Sequence, residues 1–244
     1  MRRNIRALAM CQSLFCAIPC PWQVWDEEAR PRMLAFLPVI GLEIGLIWAL
    51  LALLADALAL PRLLTALLLA ACPFVLTGHI HLDGFMDVTD AVRSCRELSR
   101  RREILKDPHV GSFAVIGCIL VLLAQFACFG SGAGEPWILL LIPAVSRCCS
   151  AIAVTVLPSM TSSQYAEQKK DTAVLWAAGI MLPVFLAAGF LWRGRYGWCL
   201  AAVPAGYAAA LLRGCRGLGG MSGDIAGYAL TVGELCAAVL WALL

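Results

Sequence analysis

Three aspartates, Asp83, Asp87 and Asp90, fall at i, i+4 and i+7 in the stretch T-G-H-I-H-L-D-G-F-M-D-V-T-D, Thr77 to Asp90. On a helix turning about 100° per residue these positions share one face, so their carboxylates converge. Like charges at that spacing repel, and the arrangement makes sense when a cation neutralises them. Ligands that are all oxygen favour a hard ion such as Mg²⁺. Gly84, a poor helix former, would let a substrate or metal approach the backbone. The plainer alternative is a solvated acidic helix start favoured by the macrodipole, but three aspartates on one face exceed what capping requires.

Other chemistry-bearing residues surround this row. His79-x-His81-x-Asp83 invites a zinc reading, yet zinc wants three or four N or S ligands and His109 is the only histidine left. On a helix His79 lies near the aspartate face and His81 opposite it, so His79 is a candidate acid–base group and His81 a structural one. Arg93 to Gly111 carries six basic residues with Glu97, Glu103 and Asp107. Such a mixture is either a solvated helix touching anionic headgroups or a phosphate site, with Lys106 for oxygens and Asp107 for a metal. Pro108 and Gly111 would stop that helix. Arg213 to Asp224, R-G-C-R-G-L-G-G-M-S-G-D, holds Gly219, Gly220 and Gly223, whose N–H groups could face an anion, ahead of Asp224, a further candidate metal carboxylate; a flexible turn is the simpler alternative. Glu43, Arg147 and Glu234 fall inside apolar runs, as a structural ion pair or as substrate ligands.

These residues need a scaffold, and the composition says which kind. Hydrophobic residues make up 61% of the 244 and charged ones 14%, with a mean hydropathy of +0.82, against roughly 45–50% apolar usage in soluble domains. The expectation is an all-α, polytopic transmembrane bundle of about seven spans, since a span needs about 20 apolar residues. The runs lie near Met33–Leu60, Leu63–Thr77, Gly111–Gly130, Pro136–Pro158, Thr172–Trp192, Trp198–Leu212 and Ile225–Leu244, the second and sixth being short. Fifteen of the 19 Lys and Arg, including Lys169 and Lys170, fall in loops of one side; Arg62, Arg193 and Arg195 fall on the other, and Arg147 within a run. The positive-inside rule makes the basic side cytoplasmic. Asp83, Asp87, Asp90, Asp107 and Asp224 all belong to that side.

Residues 1–32 read as a mature, interfacial amphipathic segment rather than a cleaved signal, because the apolar stretch is short, interrupted by Gln12 and closed by Pro19 and Pro21. Residues 78–110 form the cytoplasmic catalytic segment, and the whole chain, 1–244, reads as a single domain. The 12 cysteines are scattered through the apolar runs without a C-x-x-C pair, as small buried hydrophobes are.

The run T-G-H-I-H-L-D-G-F-M-D-V-T-D followed by R-R-E-I-L-K-D-P-H-V-G-S-F resembles the signature of the cobalamin synthase family, the adenosylcobinamide-GDP ribazoletransferases. The family pattern is approximately G-G-h-H-L-D-G-h-A-D-T-x-D-G, then L-E-I-M-K-D-S-R-h-G, with h apolar. S-L-F-C-A-I-P-C-P, L-P-V-I-G-L-E-I-G, A-V-S-R at Arg147 and G-G-M-S-G-D-I-A-G-Y-A-L-T-V-G-E-L extend the likeness along the chain. His79 departs from the second glycine, Met86 from an alanine, Ala91 from a glycine, and Cys16-Ala17 from a T-R pair.

The resemblance implies a multi-pass inner-membrane enzyme of the EC 2.7.8 type, with its active site facing the cytoplasm. A ribose hydroxyl of α-ribazole or its 5′-phosphate would attack the β-phosphate of adenosylcobinamide-GDP and release GMP, with Mg²⁺ on Asp83, Asp87 and Asp90. Arg147, Lys106, Glu43 and the glycine-rich turn would hold substrate, and Asp90, ahead of Asp87, would take the proton. Besides the substrates and the lipid bilayer, other cobalamin-pathway enzymes and a second copy of the chain are open as partners; no nucleic acid is expected. Two alternatives have different signatures. A CDP-alcohol phosphotransferase expects an A-R after its D-G, absent here at that offset, and a transporter would concentrate its charges at mid-membrane.

Overall fold

The computed structural model describes residues 2–132, 134–160 and 171–244, so Lys169 and Lys170 lie outside the described residues. In chain order the helices are α1 (Arg2–Phe15), α2 (Arg30–Met33), α3 (Leu37–Ala57), α4 (Arg62–Leu76), α5 (Ile80–Arg93), α6 (Leu98–Ile104), α7 (Ser112–Ser131), α8 (Ile142–Val156), α9 (Thr172–Arg193), α10 (Gly197–Leu218) and α11 (Gly223–Leu243). Short 3-10 turns at Leu34–Phe36, Pro136–Leu140 and Gly194–Tyr196 lead into α3, α8 and α10. No strand occurs among the described residues; a single bridge joins Ser159 to Met221. The all-α expectation holds.

By length and composition, five helical stretches can cross a membrane, or six if α4 and α5, bent by 89° at their junction, make one span. The expected seven is therefore not confirmed. Part of the difference is that Thr172–Leu218 counts as one 47-residue stretch, although it holds two 22-residue helices. α8 is buried along most of its length, whereas α7 leaves Val115, Ile116, Ile119, Leu120 and Leu123 exposed on one side, an apolar face suited to lipid.

The basic residues sort between the two ends of the bundle. Arg62 donates to the Ser131 carbonyl and Arg193 lies 3.8 Å from Glu135, which gathers the end of α7, the start of α4 and the end of α9. At the other end Arg32 bonds Asp171 at 2.9 Å, and Arg101 and Arg102 donate to the carbonyls of Gly217, Leu218 and Gly219. Those last contacts place cations on the C-terminal carbonyls of α10, where the macrodipole favours them. They explain two of the arginines in the basic segment without any substrate. α1 is amphipathic, as expected, and its Ala7, Met10, Cys11 and Phe15 pack into the main core cluster. All 12 cysteines are free thiols.

Candidate active site

The aspartate row depends on the bend that precedes it. Pro73 lies inside α4 and the Thr77 hydroxyl donates to the Pro73 and Phe74 carbonyls. Gly78 and His79 then adopt positive φ, 58° and 65°, which turns the chain 89° into α5. Glycine takes this region freely, whereas a residue with a Cβ is strained there by about 1–2 kcal/mol. That accounts for the glycine pair of the family pattern, and for the cost of His79. His79 is exposed at the mouth of α5 rather than part of the helix. We expect His79→Gly to raise stability by up to about 1 kcal/mol, net of glycine's greater unfolded freedom, with turnover within a few-fold. Thermal unfolding in detergent and a rate assay read the two effects separately, and a turnover loss above about tenfold (about 1.4 kcal/mol) would assign the imidazole to the chemistry.

α5 is helical across the row, with Asp83 exposed and Asp87 and Asp90 half-buried, while Leu82, Phe85 and Val88 on the opposite face are buried. Asp224, far along the chain, joins them because α5 and α11 touch at Gly84. A Cβ there would lie 2.8 Å from the Asp224 carbonyl oxygen and 2.9 Å from its Cα. Deeper along the same contact, Thr231 Oγ1 donates to the His81 carbonyl at 3.2 Å. Asp83, Asp224 and Asp90 lie near enough to the half-buried Asp87 carboxylate for their charges to bear on it, and Asp83 bears likewise on the half-buried Asp224. Asp90 lies at the outer end of the row against Gly111, the N-cap of α7, where any side chain would land on its carboxylate. Thus four carboxylates from two helices face one end of the bundle.

Among the described residues no three His, Cys, Asp or Glu side chains are closed into a ready metal-ligand group. Zinc needs such a group. His81 is buried and stacks on Phe15 at 6.4 Å, turned into the core. Mg²⁺ has a different requirement: it keeps several waters and is held through one or two carboxylates together with substrate phosphates, which an open rim of oxygen donors suits.

Several expected site residues lie elsewhere. Asp107 is tied to His109 through its backbone N–H at 2.9 Å and its ring at 2.7 Å, which hold its carboxyl below the usual range; its charge is not among those acting on Asp87. Lys106 is exposed beyond α6, and its ammonium makes no hydrogen bond or ion pair among the described residues. Glu43 accepts from Gln12 at 3.1 Å on α3. The N–H groups of Gly219 and Gly220 both donate to the Cys215 carbonyl, and that of Met221 to Pro158. The anion cradle expected of Gly219 and Gly220 is therefore corrected: their donors are consumed in ending α10. Gly223, by contrast, opens α11, where Ser222 Oγ accepts from the Ile225 N–H at 3.2 Å and the N–H of Gly223 has no helical acceptor.

Arg147 also needs correction as a phosphate ligand. It is 1% exposed and donates to Glu234 at 2.5 Å, Ser146 Oγ at 3.1 Å and the Pro143 carbonyl at 3.3 Å. Glu234 is ten residues into α11 from Asp224, about 15 Å below the rim at 1.5 Å per residue. The pair joins α8 to α11 in the core. We expect Arg147→Met, which strands a buried carboxylate, to cost about 3–5 kcal/mol, read as a lowered unfolding midpoint. Arg147→Met with Glu234→Leu should recover most of it.

A family model described as cobalamin-5-phosphate synthase matches residues 7–242. Among curated relatives, an adenosylcobinamide-GDP ribazoletransferase of Clostridium botulinum is 34% identical over 96% of each chain. Enzymes of the same name from Clostridium perfringens and Desulfitobacterium hafniense are 34% identical, over 98% of each chain in the first case and over 89% of this chain and 88% of the relative in the second. No solved structure matches.

Proposed function

The chain belongs to the cobalamin-5-phosphate synthase family, and from that premise we propose that it joins adenosylcobinamide-GDP to α-ribazole or its 5′-phosphate. GMP is released and adenosylcobalamin or its 5′-phosphate forms, the last joining step of nucleotide-loop assembly. Residues 1–244 act as one catalytic unit in the inner membrane, with the Asp83–Asp224 rim facing the cytoplasm as the basic excess on that end supports.

The observation that carries this reading is the packing of Gly84 on the backbone of Asp224, which unites the aspartate row with the start of α11. A diphosphate brings its own negative charge to a rim of four carboxylates, so association without a cation is unfavourable. The oxygen-only donor set fits Mg²⁺, which Asp87 of α5 and Asp224 of α11 would hold together with the substrate's diphosphate; it would supply neutralisation of the charge on the diphosphate and on departing GMP. Asp90, at the outer end of the row against Gly111, takes the proton of the ribose hydroxyl. The hydroxyl oxygen forms the new bond to the β-phosphorus, and the bond to the GMP oxygen breaks. The N–H that opens α11 at Gly223 meets phosphate oxygens.

The test is GMP release by purified protein in lipid, given adenosylcobinamide-GDP, α-ribazole and Mg²⁺. Release that requires both substrates supports the proposal. No release with both present, by protein that is folded and membrane-inserted, would remove it.

A further inference from the structure

At the end of the bundle opposite the aspartates lies a cavity of about 520 Å³, within the size range of small-molecule and cofactor sites. Trp241 lines it, 17 residues along α11 from Asp224, about 25 Å away at 1.5 Å per residue. The cavity is therefore separate from the candidate active site. Its floor is apolar, from Ala52, Leu69, Phe129 and Trp241, and its mouth carries one charge of each sign, Asp56 and Arg62.

These two charges flank the turn between α3 and α4 and do not neutralise each other. Arg62 donates to the Ser131 carbonyl, an uncharged acceptor that leaves its cation unbalanced. Asp56 is exposed and makes no side-chain hydrogen bond or ion pair among the described residues. Next in sequence to the lining residues Ala55, Ala59 and Arg62, Leu54, Leu58 and Leu63 are 54%, 60% and 67% exposed, an outward apolar surface that suits acyl chains and not water. A cation site, an anion site and an apolar floor opening onto a lipid-facing surface together describe a zwitterionic amphiphile.

We propose that this cavity binds a phospholipid whose headgroup joins a primary ammonium to a phosphate, the phosphatidylethanolamine class. The ammonium donates to Asp56, the phosphate lies by Arg62, and the acyl chains leave past Leu58 and Leu63. The shared chemistry also exists in a soluble form, phosphoethanolamine, but only the lipid uses the exposed leucines.

Native mass spectrometry of the purified chain, delipidated and then offered phosphatidylethanolamine or phosphatidylglycerol of matched acyl chains, tests this. A charge-assisted ammonium–carboxylate bond supports a preference of roughly tenfold for the ethanolamine lipid. Asp56→Asn should reduce that preference to parity while leaving GMP release unchanged, since Asp56 is remote from the aspartate rim. Equal retention of the two lipids by the parent chain would overturn the proposal, as would an undiminished preference in Asp56→Asn. Displacement of the lipid by millimolar phosphoethanolamine would also overturn it, by reassigning the cavity to a soluble amine.

Discussion

Asp87→Asn is expected to lower GMP release by about 10²–10³-fold, the loss that follows removal of one group stabilising charge in a transition state. The substitution keeps the shape and one oxygen but removes the charge through which a divalent cation is held. Asp87 is the position to choose because the charges of Asp83, Asp224 and Asp90 all bear on it. The same crowding gives a second readout with the opposite sign. Taking one charge from a half-buried group of four relieves repulsion, so the variant should unfold at a higher temperature than the parent when no divalent cation is present. Added Mg²⁺ should then stabilise it less than it stabilises the parent. An Asp87→Asn protein with parental turnover would remove the carboxylate row from the chemistry, and one that simply unfolds would assign it to structure.

Gly84→Ala tests the helix contact that brings Asp224 to the row, and two effects compete there. Alanine in place of a helical glycine is worth about 0.8–1 kcal/mol in favour of folding. Against this, the new methyl would lie 2.8 Å from a backbone oxygen and 2.9 Å from a Cα of α11, contacts that backbone cannot relieve by rotating a side chain. Overpacking of this kind costs about 1–3 kcal/mol, so the expected sign is a loss of stability. Separating α5 from α11 also displaces Asp83 and Asp87 from Asp224, and a misplacement near 1 Å can cost about 10²-fold in rate. Gly179→Ala in α9 is the control, since nothing lies within 4 Å of a Cβ there. It should be neutral or stabilising with full activity. If Gly84→Ala behaves as the control does, the α5–α11 contact does not set the site.

The i, i+4, i+7 spacing makes the aspartate face legible in the sequence, because helix periodicity alone puts those residues together. Gly84 was readable as a close approach, but what approaches it is α11 rather than a ligand, and sequence spacing carries no information about a contact across so much of the chain. Arg147 has the same limit: an intramembrane arginine is visible in the sequence, while its partner stands 87 positions away. The glycine-rich turn misled because composition reveals permissive backbone but not where its N–H groups point; here they close α10 and pair with Pro158. His79 shows the converse. Its departure from a glycine pair was evident in the residues, and its meaning, a left-handed backbone at the α4–α5 bend, needed φ angles. Gly111 reads as a helix stop in the sequence, and only packing shows it also making room for Asp90.

Binding of Mn²⁺ in place of Mg²⁺, followed by electron paramagnetic resonance in the presence of GDP as a diphosphate probe, addresses the shared-cation site directly. The parent chain, Asp87→Asn on α5 and Asp224→Asn on α11 would be titrated side by side. Loss of roughly tenfold or more in affinity (about 1.4 kcal/mol) in both variants is the expected result, because one ion draws on both helices. Parental affinity in Asp224→Asn, with or without a loss in Asp87→Asn, would contradict a site shared between them.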